Sequence, residues 1–227
     1  METRIPTEPQ VTATGVVQDA AAKCRAAKNL MSAGDYEAAR EALAGLWSRI
    51  GERPRIEDLP PKDQAEVLLR TGALSGWLGS SGQVPGAQGF AKDLISESVR
   101  AFEALGDQEK FAEAQSDLAL CYWREGAMDE ARVWFREALS KAVDPANRLR
   151  ILARSTTVEY SSDRFADALA LLDQGGPLVD HLAFFEGYHR STLLSQFLRR
   201  EIRQGRFLAS CCLSATSRPE TTSLVSL

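Results

Sequence analysis

Apolar residues recur every three or four positions through most of the chain, most clearly from Leu118 to Leu139. This spacing places apolar side chains on one face of an α-helix. The segment is divided at Gly126, which can adopt the left-handed backbone that ends a helix,. Asp129 and Glu130 follow, where the dipole of a new helix favours negative charge,. The pattern therefore predicts two helices joined by a tight turn.

Small and large apolar residues have definite places in these two helices. An alanine where helices cross lets their axes approach to about 8 Å, the close end of the usual range. The small and large apolar residues that occupy these places are Leu118, Ala119, Tyr122, Ala131, Phe135 and Ala138. Together with Gly126 they closely resemble a tetratricopeptide repeat, a unit of a family that is defined by its packing and not by any chemistry.

The same order occurs elsewhere, which indicates an array of repeats. Further copies surround Gly34 and Asp163, and aspartate tolerates the left-handed backbone that a turn requires,. A degenerate copy lies between the first two clear ones, with helices predicted over residues 67–78 and 90–105.

The small-residue positions of the four copies lie farther apart than in the commonest repeat. These positions are Ala39, Ala91, Ala131 and Ala168. Their intervals of about 37 to 52 residues exceed the usual length of about 34,. We therefore expect helices with an extra turn. Leu105-Gly106-Asp107 is similar to linkers of the roughly 40-residue repeat class found in regulatory proteins.

We predict an all-α fold, an α-α superhelix of three to four tetratricopeptide-like repeats with a C-terminal capping helix. The predicted organisation is a flexible segment 1–17, repeats over 18–177 with an inserted glycine-rich loop at 79–89, a capping region 178–207 and a disordered tail 208–227. The alternative for the C-terminal region is a shortened array. In that case an exposed apolar end would favour self-association.

Composition excludes some partners. The net charge of -4 argues against direct nucleic-acid binding, which needs a clustered basic surface,. One local exception consists of Arg190, Arg199, Arg200, Arg203 and Arg206. We interpret this set as a solvated helix face. No run of 18 apolar residues predicts a membrane span,.

The N-terminal residues and the cysteines predict a cytoplasmic, reducing location. Residues 1–17 contain Pro6 and Pro9 and lack the apolar run of a secretory signal,. The four cysteines form no recognisable disulfide framework,.

Catalytic and metal chemistry finds little support. His181 and His189 lack the spacing that places two histidines around zinc on one helical face,. Cys121 lies in the best repeat with no histidine near it in sequence, so it is interpreted as a core residue,. The glycine-rich stretch 79–89 lacks the Lys-Ser/Thr of a phosphate loop,. We therefore predict no catalytic residue, metal or cofactor.

The resemblance implies a concave groove, lined by the first helices, in which a peptide or partner helix binds. The residues expected in the groove are Lys28, Met31, Glu113, Ser116, Leu120, Trp123, Arg124, Arg150, Thr157 and Tyr160. Trp123 and Tyr160 take equivalent places one repeat apart, and aromatic residues and arginine are enriched in binding hot spots. The alternative for Trp123 is packing against a neighbouring repeat.

The carboxylate clamp of chaperone-binding family members is not expected. Its groove positions correspond to Cys24, Lys28, Ser116 and Leu120, and the required asparagine is missing. Three function classes remain. The first is a non-enzymatic scaffold that binds a protein or peptide, the second a sensory or regulatory module whose output lies on another chain, and the third an enzyme of unrecognised type.

Overall fold

The computed structural model of the chain describes residues 13–183, with side chains described for residues 19–178. All regular secondary structure in that range is helical, which confirms the predicted all-α fold. The helices are α1 (Ala13–Ala33), α2 (Tyr36–Ala42), α3 (Pro61–Ser81), α4 (Ala87–Ala104), α5 (Gln108–Arg124), α6 (Met128–Lys141), α7 (Pro145–Ser161) and α8 (Phe165–Ala183).

The eight helices form four consecutive pairs that stack into an array. The two helices of each pair contact each other, and each first helix contacts the next, so that α1, α3, α5 and α7 follow one another. Further contacts join α4 to α5 and α6 to α7. Each pair thus buries its apolar faces against its neighbours, as in a repeat array.

Three turns have the predicted left-handed backbone, and the first is Gly34, with φ 85° between α1 and α2. Gly126 has φ 83° between α5 and α6, and Asp163 has φ 59° between α7 and α8. Aspartate therefore takes the place of the turn glycine in the last pair, as the sequence predicted.

The small-residue positions lie at the helix crossings. Ala39, Ala91, Ala131 and Ala168 each have 0% of their surface exposed. The large residues beside them are also buried, including Leu118 and Phe135. Tyr122 remains half-buried and contacts the apolar clusters on both sides of α5. The packing pattern found in the sequence is therefore the core of the protein.

The predicted loop at 79–89 is wrong in its extent. Helix α3 continues through Gly79 to Ser81 and α4 begins at Ala87, so the connection spans only residues 82–86. A Cβ atom at Gly79 would lie 2.2 Å from the Cβ of Ala87. Gly79 therefore permits close contact between two helices, and only the middle of the glycine-rich stretch, residues 82–86, connects them.

The expected extra helical turns do not explain the longest repeat interval. α2 has only seven residues, and an irregular segment over residues 43–60 separates it from α3. This segment packs against the first pair through Trp47, Ile56 and Leu59, which are all buried. The indole Nε1 of Trp47 donates to the carbonyl of Glu52, which closes the segment on itself.

The predicted boundary at residue 177 is also wrong. Helix α8 continues through Gly175, Gly176 and Pro177 to Ala183. Gly175 lies against α7, and a Cβ atom there would be 3.3 Å from Cδ1 of Leu149. Packing against α7 therefore accounts for a helix where composition predicted a break.

The predicted flexible segment 1–17 overlaps α1, which begins at Ala13. Residues 1–12, the capping region from residue 184 onward and the tail 208–227 lie outside the described residues. So do the five C-terminal arginines and His189.

Candidate functional site

A groove of about 1220 Å³ lies along the array. Its lining side chains come mainly from the first helix of each pair, α1, α3, α5 and α7. Tyr36 at the start of α2 and Asp144 before α7 complete it. The face formed by the four first helices is thus the one that encloses space.

Eight of the ten side chains expected in the groove line it. These are Lys28, Met31, Glu113, Leu120, Trp123, Arg124, Arg150 and Thr157. Trp123 is half-buried, and its Nε1 donates to Oγ of Ser161 at 3.3 Å, so the indole bridges α5 and α7 at the edge of the groove. Whether these residues bind a partner remains a prediction.

Ser116 and Tyr160 are not among the lining residues. Ser116 is fully buried, and its Oγ accepts a hydrogen bond from Arg154 Nη1 at 2.9 Å. Ser116 therefore does not line the groove but helps to hold the side chain of Arg154, which does. The Tyr160 ring lies 5.5 Å from the ring of Phe165, at the turn between α7 and α8. The last turn of α7 thus directs this aromatic toward its own pair.

A carboxylate at the centre of the groove joins all four first helices. Glu113 Oε1 lies 2.5 Å from Arg70 Nη2 and 3.8 Å from Arg150 Nη2. Its Oε2 lies 2.9 Å from Lys28 Nζ and 3.4 Å from Lys110 Nζ. Burial raises the pKa of Glu113, but these four cations lower the pKa more strongly, to well below its ordinary value,. The carboxyl is therefore ionised at neutral pH.

A second buried carboxylate lies one helical turn away. Asp117 Oδ1 is 2.8 Å from Arg154 Nη1, which links α5 to α7. Within α3, Arg70 also contacts Glu66, and Arg70 Nε lies 2.9 Å from Glu66 Oε1. Most charges in the groove are thus held in fixed ion pairs between helices.

Arg124 differs from this pattern. Among the described residues, no carboxylate oxygen lies within the ion-pair distance of 4.0 Å of its guanidinium. Its guanidinium carbon instead lies 5.1 Å from the ring centroid of Trp77. Trp77 in turn stacks on Tyr36, because the two rings are 4.2 Å apart and inclined by 21°. Burial lowers the pKa of Arg124, since a desolvated guanidinium loses hydration,.

The groove is more positive than the chain as a whole. Six basic and four acidic residues line it, an excess of two positive charges, whereas the whole chain carries -4. The basic residues are Lys28, Arg70, Lys110, Arg124, Arg150 and Arg154.

Several groove residues were missed from the sequence. Arg70 and Trp77 are seven positions apart on α3, so they share a helical face,. The seven-residue spacing can be read in the sequence. Because this repeat is degenerate, however, the sequence does not show which face of its helix lines the groove. Tyr36 follows the turn at Gly34 and was not predicted to line the groove. Asp117 and Arg154 lie one turn from predicted positions and carried no separate signal.

The described part of the chain offers few features of metal binding, membrane insertion or thiol chemistry. Within residues 13–183, no cluster of three or more histidine, cysteine or acidic side chains could hold a metal ion. The described helices include none with the length and hydrophobicity of a membrane span. Cys24 and Cys121 are free and buried, and burial raises the pKa of each thiol to about 12.

Comparison with known proteins identifies the fold. The structure is similar to two crystal structures of nearly identical TPR-like repeats from a kinesin light chain candidate of Podosopora anserina. One of them, a variant with a single substitution, gives a TM-score of 0.50 at 17% identity, covering 82% of this chain and 87% of that chain. The other gives 0.48 at 17% identity, covering 80% and 84%. No family model and no curated protein matches the sequence. The protein therefore has the fold of a TPR-like repeat protein, as the packing pattern of its sequence predicted.

Proposed function

We propose that this protein is a non-enzymatic scaffold that binds a segment of a protein partner in the groove formed by α1, α3, α5 and α7. The observation that supports this most directly is the groove itself, in which side chains from four successive helix pairs, including aromatic, basic and acidic residues, face one space. TPR-like folds commonly mediate protein–protein interaction, and repeat arrays present extended concave surfaces for binding.

The size and lining of the groove favour a peptide over a small metabolite. Its volume of about 1220 Å³ is larger than the roughly 300–1,000 Å³ of typical small-molecule pockets,. Trp77 and Trp123 lie at the groove together with Arg124, and these residue types dominate binding hot spots,. The same comparison of volume disfavours a regulatory module that senses a small ligand.

The groove is also held in a defined shape before any partner arrives. Glu113 and Asp117 form ion pairs with α3 and α7, so the relative positions of these helices are constrained. A preorganised surface loses less conformational entropy on binding. The proposal includes a cytoplasmic location, which the free thiols of Cys24 and Cys121 support,.

A groove-filling substitution tests the proposal. A phage-displayed library of random 15-residue peptides is selected on the wild-type protein, and enriched peptides are synthesised for fluorescence anisotropy. Thr157→Trp places a large ring in the groove, because Thr157 lines it and is only half-buried. Val133→Trp is the matched control, since Val133 is 51% exposed on α6 outside the groove.

We expect Thr157→Trp to weaken peptide binding at least tenfold, and Val133→Trp to change it less than twofold. Circular dichroism at 222 nm must show that both variants retain wild-type helicity. The proposal is overturned if no peptide is enriched. Equal binding by Thr157→Trp and the wild type would also overturn it, because the groove would then not be the site.

A further inference from the structure

We infer that the partner segment is acidic and that Arg124 binds one of its carboxylates. This inference rests on the proposed function and adds the chemistry of the partner. It comes from the one groove cation that has no carboxylate partner among the described residues.

The other five cations of the groove already have carboxylate partners. Each has a carboxylate oxygen within 4.0 Å; the pairs are Lys28–Glu113, Arg70–Glu113, Lys110–Glu66, Arg150–Glu113 and Arg154–Asp117. A charge that is partly removed from water is unfavourable without a counter-charge. Arg124 is therefore the position at which an incoming anion gains most.

Aromatic packing holds the Arg124 side chain ready for an anion. Its guanidinium lies over Trp77, and the ring of Trp77 also stacks on the ring of Tyr36. A planar guanidinium over a ring keeps its N–H groups at the edge, where they can form two parallel hydrogen bonds to a carboxylate. Because the side chain is already ordered, little entropy is lost when it binds. Trp77 itself is 37% exposed, so it offers apolar surface beside the cation.

Among the described residues, the carboxylate that acts on Arg124 most strongly already pairs with another arginine. Asp117 attracts Arg124, but its Oδ1 is engaged with Arg154 Nη1 at 2.8 Å. Arg154 in turn repels Arg124. Arg124 therefore remains the groove cation that is available to an incoming carboxylate.

The amount of positive charge favours a peptide over a nucleic acid. The lining has an excess of only two positive charges, and the chain as a whole is negative. A nucleic acid carries a phosphate at every nucleotide, and its binding requires several unpaired cations. One or two carboxylates on a peptide would balance the excess of two positive charges in the groove.

Paired peptides test the inference. Peptides enriched on the wild-type protein are synthesised with blocked ends, each in two forms, one with its Asp and Glu residues and one with Asn and Gln in their places. Affinities are measured by fluorescence anisotropy at 50 mM and 500 mM NaCl, for the wild type, Arg124→Gln and Arg124→Lys. Arg136→Gln is the matched control, because Arg136 is exposed on α6 and does not line the groove.

We expect enriched peptides to contain more Asp and Glu than the library, and the acidic form to bind at least tenfold more tightly than the amide form at 50 mM NaCl. This ratio should fall at 500 mM. Arg124→Gln should reduce it to below about threefold, Arg124→Lys should give an intermediate ratio, and Arg136→Gln should leave it unchanged.

The outcomes separate the two proposals. If both peptide forms bind equally and Thr157→Trp abolishes both, the scaffold stands and the acidic inference fails. If no peptide is enriched, both fail. An unchanged ratio in Arg124→Gln overturns the role of this residue. Tighter binding of a single-stranded 12-mer oligonucleotide than of the acidic peptides would assign the groove to a different class of partner.

Discussion

Arg70 Nη2 lies 2.5 Å from Glu113 Oε1 beneath the groove, and the two side chains are only 3% and 6% exposed. This contact joins α3 to α5, while Lys28 and Arg150 join the same carboxylate to α1 and α7. The four first helices are therefore linked by buried charge as well as by apolar packing. This one carboxylate therefore contributes to the relative positions of all four groove-lining helices.

Glu113→Gln should lower the free energy of unfolding by about 3 kcal/mol, because removing one partner of a buried pair leaves uncompensated charge. Urea unfolding followed by circular dichroism at 222 nm measures this change. Glu103→Gln is the matched control, since Glu103 is exposed on α4, and we expect a change within about 0.5 kcal/mol,. A loss in Glu113→Gln no larger than in the control would contradict the central role of Glu113.

Replacing both partners should recover only part of this loss. An isolated buried pair can often be exchanged for apolar residues at little cost. Here Arg70→Met/Glu113→Leu would still leave Lys28, Lys110 and Arg150 without their shared carboxylate. Full recovery of the unfolding free energy in the double variant would show that these three cations contribute nothing.

Acid should remove the stabilisation that Glu113 provides. Burial raises the pKa of this carboxyl, but Arg70 and the other cations lower it to well below the ordinary value of 4.5. A group with a depressed folded-state pKa stabilises the protein above its unfolded-state pKa, and this stability is lost as the pH falls through the folded-state pKa. The difference in unfolding free energy between the wild type and Glu113→Gln should thus be constant from pH 8 to 5 and narrow below pH 4.5.

Urea titrations at pH 7, 5, 4 and 3 measure this difference directly. Glu103→Gln again serves as the control, and its difference from the wild type should stay small at each pH. A difference for Glu113→Gln that persists undiminished to pH 3, or that grows, would contradict the assigned sign.

Gly72→Ala and Gly89→Ala should have opposite effects. A Cβ atom at Gly72 would lie 2.6 Å from Cγ1 of the buried Ile95 and 3.1 Å from the carbonyl oxygen of Ala91, so α3 and α4 would be forced apart. Overpacking of this kind costs about 1–3 kcal/mol. At Gly89 in α4 a Cβ atom meets nothing within 4 Å, and alanine should stabilise the helix by up to about 1 kcal/mol,. Thermal and urea unfolding compare the two; equal effects would contradict the close contact at Gly72.

Cys24 and Cys121 should be unreactive until the protein unfolds. Burial raises the pKa of each thiol to about 12, so about one in 10,000 is ionised at pH 8,. In a Cys211→Ser/Cys212→Ser background only these two thiols remain. Labelling with a chromogenic disulfide reagent should be slow in buffer and should accelerate with urea in parallel with the loss of helicity. Two thiols labelled within minutes in buffer would show that these sites open locally.

The packing positions could be predicted because they recur in register. Ala131 and Ala168 occupy the same crossing in successive pairs, and both are completely buried. Glycine was less informative, since composition does not distinguish a residue that ends a helix from one that admits a neighbouring helix. Gly79 and Gly175 belong to the second kind, and both were assigned to breaks.

The groove was harder to predict than the core. Trp123 and Arg150 were found because they lie beside recognisable packing residues in the sequence. Arg70 and Trp77 lie on a helix whose repeat pattern is degenerate, so their place depended on how α3 stacks between α1 and α5. The partner of each arginine depends on the same stacking, and the absence of a carboxylate at Arg124 among the described residues became visible only with the four helices in position.

Glu109→Ala should loosen the last pair while leaving the first two pairs intact. Glu109 Oε1 accepts hydrogen bonds from the backbone N–H groups of Val143 and Asp144, and Oε2 accepts from Asn147 Nδ2 at 2.9 Å. Removing these charge-assisted bonds should cost about 1–3 kcal/mol locally.

Because Asn147 Oδ1 also accepts from Arg150 Nη2 at 2.6 Å, the loss should extend to the groove. In hydrogen–deuterium exchange by mass spectrometry, we expect faster exchange in peptides covering residues 141–161 and unchanged exchange in α3 and α4. Glu137→Ala, exposed on α6, is the matched control and should leave every peptide unchanged. Faster exchange throughout the array in Glu109→Ala would mean that Glu109 stabilises the whole protein, and no change near residue 143 would mean that these hydrogen bonds contribute nothing to the junction.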